Sequence, residues 1–139
     1  MHAPKTQSRA VQATPQSAFD AVLGLAQAKP YELRGVNNEL GQLVFLRGKT
    51  ALSWGTLHLV EVAPSSEGAT ITVTVGGRDD APKALMDGWK HNKAAAKLLD
   101  SAEAVLGGSA SAPHTPMDSH ALLDDGRTVP WTGPEFPTA

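Results

Sequence analysis

The chain has 139 residues, no cysteine, 19% charged side chains and a formal net charge of −2. That length fits one domain with an appendage, and a charge this close to zero gives no footprint for a polyanionic partner. The missing thiols exclude disulfides, zinc–thiolate sites and cysteine nucleophiles.

The first nine residues, Met1 to Arg9, hold no apolar stretch of the kind a secretory signal needs. No apolar run approaches the ~18–20 residues of a membrane span. A cytoplasmic protein with no membrane contact is the expectation. Ser8 to Ala13 reads as a short edge strand. Thr14-Pro15 then opens a helix, threonine as N-cap and proline at the first helical position, where its missing N–H costs nothing. Phe19, Val22, Leu23 and Ala26 form its apolar stripe, and Lys29-Pro30 ends it, because a residue before proline avoids the α region.

Four strands are expected next: Tyr31 to Val36, Gln42 to Arg47, Ser53 to Val62 and Ala69 to Val75. Asn37 to Gly41, Gly48 to Thr50 and Pro64 to Gly68 supply the turns between them. The last strand alternates strictly: Ile71, Val73 and Val75 on one face, Thr70, Thr72 and Thr74 on the other. That is the pattern of an antiparallel sheet covered on one side only. Register decides where the third strand puts its side chains. If Leu57 and Leu59 lie beside Val73 and Ile71, then Trp54, Thr56 and His58 share the open face; a slip of one residue reverses this.

After a loop from Gly76 to Pro82, Asp87 caps a long helix reaching Leu106. Its expected buried stripe is Trp89, Ala96, Leu99, Ala102 and Leu106, and Lys90, Lys93 and Lys97 line another face. Gly107-Gly108 stops it. The expected fold is therefore α+β: a five-stranded antiparallel sheet with two helices on one face, order β-α-β-β-β-β-α, plus an extended C-terminal tail. Residues 1–106 form the domain, 107–116 a Gly/Ser/Ala/Pro linker, and 117–139 an acidic, proline-rich tail. The tail holds Asp118, Asp124, Asp125 and Glu135 against Arg127 alone, which leaves residues 1–116 with 11 basic and 10 acidic side chains.

Ser53-Trp54-Gly55 at the head of a strand, and Asp87-Gly88-Trp89-Lys90-His91-Asn92-Lys93 at the head of a helix, resemble a family of small uncharacterised bacterial proteins. There a Ser-Trp-Gly strand precedes a helix opening Asp-Trp-Gly-Lys-Asn-Lys-Lys-Asn. Asp87, Lys90, Lys93 and Lys97 match by position; Gly88-Trp89 inverts the usual order, and His91 and Ala94 replace asparagines. The resemblance spans residues 8 to 106. It implies a TATA-binding-protein-like βαββββα topology or a shortened helix-grip fold, and no activity.

The sequence points to no catalytic group. His58 has no nucleophile or orienting carboxylate placed beside it, the glycine-rich Gly76–Asp80 lacks the Lys-Ser/Thr of a phosphate loop, and no serine has a nucleophile-elbow setting. No metal site and no cofactor are expected; His114, Asp118 and His120 cluster without ligand spacing. Trp54 and Trp89 read first as packing between sheet and helix, and Lys90, Lys93 and Lys97 as a solvated helix face. Their sharper reading, with His58, is contact with a ligand or an anion. The tail stands out more: Leu122, Leu123, Trp131 and Phe136 are too apolar for a purely solvating segment. They suit docking on the chain's own sheet or on a partner. The leading expectation is a non-enzymatic interaction or assembly module whose tail docks on a protein partner or a neighbouring subunit. The alternative is a carrier for a lipid or amphiphile held between helices and sheet.

Overall fold

The computed structural model describes residues 1–48, 55–78 and 87–137. Trp54, with Ser53 and the predicted start of its strand, lies outside the described residues, as do Asp79 and Asp80.

Strand β1 spans His2–Val11, helix α1 Pro15–Ala26, β2 Tyr31–Asn37, β3 Gln42–Arg47, β4 Thr56–Ser65, β5 Gly68–Gly77 and helix α2 Asp87–Leu106. Thr14 caps α1 as expected, its Oγ1 accepting the Ser17 N–H at 3.0 Å, with Pro15 following. Two further strands, β6 (His120–Leu122) and β7 (Thr128–Val129), come from the tail. The result is one antiparallel sheet of seven strands, in the order β1-β5-β4-β3-β2-β6-β7, rather than the expected five. The physical reason is the edge of β2. Its outer backbone groups need partners, and the tail supplies them through Gly35↔Ala121 and Val36↔His120.

Register is set by a tight hairpin. Ser65 pairs with Gly68, so only Ser66 and Glu67 turn, and Gly68 takes φ +134. This aligns His58 with Val75, Val60 with Val73 and Val62 with Ile71, all on the face that the helices cover. Leu57 and Leu59 therefore belong to the open face. The core under the helices gathers Phe19, Val22, Leu43, Phe45, Val60, Ile71, Val73, Val75, Leu98 and Leu99. Helix α2 also departs from its expected stripe: His91, Ala95, Leu98, Leu99 and Ala102 are buried, whereas Trp89 is 60% exposed. The small residues on that buried side let α2 lie close to β1 and β5, and the indole one turn away has no room beneath it.

The tail crosses to the open face. Trp131 is 1% exposed and forms a second apolar cluster with Val44 and Ala121, flanked by Leu57, Val129 and Phe136. Gly35 makes the crossing feasible, because a Cβ there would stand 2.7 Å from Phe136 Cε2 and 3.2 Å from the Trp131 ring. A bulge between Leu33 and Gly35 bends β2 at the same point. The adjoining Arg34 donates to the Leu122 carbonyl and, at 2.9 Å, to Asp124. The linker is pinned as well: the Gln27 side-chain amide bonds both ways with the Thr115 backbone at 2.8 Å, and Asn38 holds Met117 O and Ser119 Oγ.

Candidate functional site

Five strands and one helix begin or end at one end of the sheet: β1 starts at His2, β2 at Tyr31 and β4 at Thr56, β3 ends at Arg47 and β5 at Gly77, and α2 starts at Asp87. Cross-strand pairing places Tyr31, Arg47 and Thr56 in one row and Leu33, Phe45, His58 and Val75 in the next. Both rows lie on the helix-covered face.

His58 is the centre of this end. It is 1% exposed and stacks on Phe45, with ring centroids 5.1 Å apart and planes 19° from parallel. Tyr31 meets both rings edge-on, 5.1 Å from Phe45 and 5.3 Å from His58. Aromatic packing of this kind explains how an imidazole is held in a core, and leaves its polar atoms unserved. Among the described residues neither His58 nitrogen makes a well-formed hydrogen bond, the Thr56 backbone interacting with the ring only weakly, and the buried Oγ1 of Thr56, two residues earlier on the same face, has no partner. Among the described residues, the remaining buried side-chain atoms in that condition are Ser65 Oγ and Trp131 Nε1, so three of the five meet here. Each such atom costs about 1–3 kcal/mol relative to a satisfied one.

Burial pushes the His58 pKa down from 6.5 to about 4, helped by the positive charges of Arg47 and His91 and offset in part by the Thr56 backbone. The ring is therefore neutral at neutral pH, with one donor and one acceptor to offer. Burial also raises the Tyr31 phenol, against the pull of Arg47. His91, itself buried, uses Nδ1 on the Ala3 carbonyl at 2.8 Å, and its ring stands 5.9 Å from His2. His2 in turn reaches Asp87 at 3.0 Å.

The other sequence-predicted residues disperse. Trp89, Lys90 and Lys93 lie on the outer side of α2, with Lys93 Nζ 5.2 Å from the Trp89 ring centroid. They do not join His58. Leu122 is half-buried, and Leu123, Trp131 and Phe136 lie with the tail on the chain's own body. Thr56, Tyr31 and Arg47 escaped the sequence reading as site residues. Their signal was the register, which the two-residue turn at Ser66-Glu67 encodes.

An open groove of about 700 Å3 lies apart from His58, between the end of α1 and the tail, lined by Gln27, Met117, His120 and Thr128 among others. Two of its polar side chains are already engaged, Gln27 with the Thr115 backbone and His120 Nδ1 with the Asp118 carbonyl. Among the described residues no group of side chains is arranged to hold a metal ion, and no helix is long and apolar enough to cross a membrane.

No family model and no curated protein matches the chain. Solved structures do. Ara h 8.0201 superposes with a TM-score of 0.55 at 10% identity, covering 76% of this chain and 97% of its own. The protein MLL2253 from Mesorhizobium loti gives 0.54 at 10% identity, covering 78% and 99%. The fold is of the helix-grip type. Identity this low carries the architecture and nothing more.

Proposed function

We propose that this protein is a non-enzymatic binder of a small, largely apolar molecule, held at the His58 end between sheet and α2. One observation carries the reading. Among the described residues, a neutral imidazole with 1% exposure and a neighbouring threonine hydroxyl hold three polar atoms without a well-formed hydrogen bond, against the rings of Phe45 and Tyr31. A core built for stability alone would hold leucine or phenylalanine there, since buried polar groups are normally satisfied. A ligand with a polar end and an apolar body would complete these bonds and lie against Tyr31 and Phe45.

The tail-docking module is the weaker reading. Trp131, the strongest anchor of the tail, is fully buried on the chain's own sheet, so docking on a partner requires its release.

The test is native mass spectrometry and thermal unfolding of the purified full chain beside His58→Phe, with and without a panel of small amphiphiles. The expected result is bound mass or a raised Tm for the wild type that the variant lacks. Ligand-free spectra and unmoved melting curves for both proteins would sink the proposal.

A further inference from the structure

The unsatisfied atoms sit in a one-signed field. Among the described residues the fixed charge that bears on His58 is the cation of Arg47 at the end of β3, with His91 beside it on α2. Tyr31 from β2 and Thr56 from β4 face it uncharged, and β5 opposes it with Val75. Helix α1 carries one charged residue, Asp20, bonded to Gln16 and facing His114. On α2, Asp87 is already held by His2. Glu32 pairs with Leu46, one residue off the row of Tyr31 and Arg47, and so belongs to the opposite face of the sheet.

We infer that the buried end of the ligand is a carboxylate, seated against Thr56 Oγ1 and a ring nitrogen of His58, with Arg47 at the rim. This rests on the ligand-site reading above. A hydroxyl or amide would satisfy the same atoms, but it would gain nothing from Arg47, and charge-assisted hydrogen bonds are roughly twice as strong as neutral ones. The aromatic wall of Tyr31 and Phe45 then takes the apolar body. Binding has a proton consequence. The neutral ring has a single N–H, and a carboxylate beside it favours the imidazolium. The complex therefore raises the His58 pKa from about 4, while the neutral ring can already donate its single N–H to the carboxylate.

The probes are 4-phenylbutyrate and its neutral counterpart 4-phenylbutan-1-ol, titrated into the full-length protein while the His58 imidazole resonances are followed by NMR at pH 6 and pH 8. The carboxylate is expected to bind at least tenfold more tightly than the alcohol, with the His58 pKa raised in its complex. Arg47→Met, an exposed position that leaves the core intact, should erase most of that preference. If both probes shift His58 with equal affinity, or the preference survives in Arg47→Met, the carboxylate inference falls and the ligand site stands. If neither probe moves His58, both fall.

Discussion

The tail seam and the His58 end solve opposite problems with the same sheet. On the open face, β2 offers an unpaired edge and a notch over Gly35, and the chain fills both from its own C-terminal segment. Along the tail's path polar groups are paired, Gln27 with Thr115, Asn38 with Met117 and Ser119, Asn37 with Gly133, Arg34 with Leu122 and Asp124, while among the described residues the buried indole N–H of Trp131 has no partner. At the His58 end the chain buries polar atoms that, among the described residues, have no well-formed hydrogen bond. A region that is complete in itself points to structure. One left incomplete points to something that arrives from outside.

The largest effect should come from breaking the complete region. Trp131→Ala removes a ring that is 1% exposed and opens a hole against Val44 and Ala121, so a loss of about 3–5 kcal/mol is expected in urea denaturation. Trp131→Phe keeps most of the packing and drops the unpartnered N–H, and should lose far less. Equal and small losses for both would mean that the tail does not hold the sheet in solution.

The incomplete region should reveal itself through pH. Because the folded pKa of His58 lies at about 4, below its unfolded value of 6.5, folding favours the neutral ring. The associated stability is fully present above about pH 6.5, declines as pH falls because the unfolded chain takes up a proton, and is gone below about pH 4. At 1.36 kcal/mol per unit this amounts to about 3 kcal/mol, with no discount for solvent at a ring so deeply buried. Urea midpoints of the wild type relative to His58→Phe between pH 7.5 and 4 isolate it, since every other titratable group is common to both proteins. A flat difference across that range would put the imidazole in contact with water.

The contrast also separates what was legible in the sequence from what was not. The caps and periodicities were local: Thr14-Pro15, the alternation from Thr70 to Val75, and the full extent of α2 from Asp87 to Leu106 all appear as read. The face occupied by His58 was not, because Leu57/Leu59 and His58/Val60/Val62 offer two acceptable registers, and the choice is made by a turn two residues long where five polar residues had suggested a looser one. Trp89 misled for a related reason. An indole at helical spacing looks like core, yet the close approach of α2 through its alanines leaves it outside. The tail's strands were invisible because β6 and β7 have three and two residues and exist only by leaning on β2. The apolar character of Trp131 was legible; its destination was a property of the edge it covers.

A smaller effect sharpens the seam where the linker passes α1. Gly24 faces the Ala112 carbonyl so closely that a Cβ would collide with backbone, which cannot swing aside as a side-chain tip does. Gly24→Ala would gain helix propensity on an isolated helix. Here it should lose about 1–3 kcal/mol as the linker is pushed off, with faster amide exchange at the Thr115 N–H held by Gln27. A neutral or stabilising outcome would show that the linker is not seated on α1.

The smallest expected change has the opposite sign. His58→Phe replaces an imidazole by a ring that stacks on Phe45 as well and leaves no nitrogen in want of a partner. At neutral pH the ligand-free variant should be more stable than the wild type by about 1 kcal/mol, the scale of an unsatisfied buried polar group relieved with some loss to overpacking. A gain of stability at a buried position is rare, because most core substitutions destabilise, and it is expected where a residue is retained for something other than the fold. The control is Trp131→Phe, which relieves a single N–H in the complete region but gives up part of a larger ring. If His58→Phe instead destabilises the chain by several kcal/mol, the imidazole belongs to the core, and the difference between the two ends of the molecule disappears.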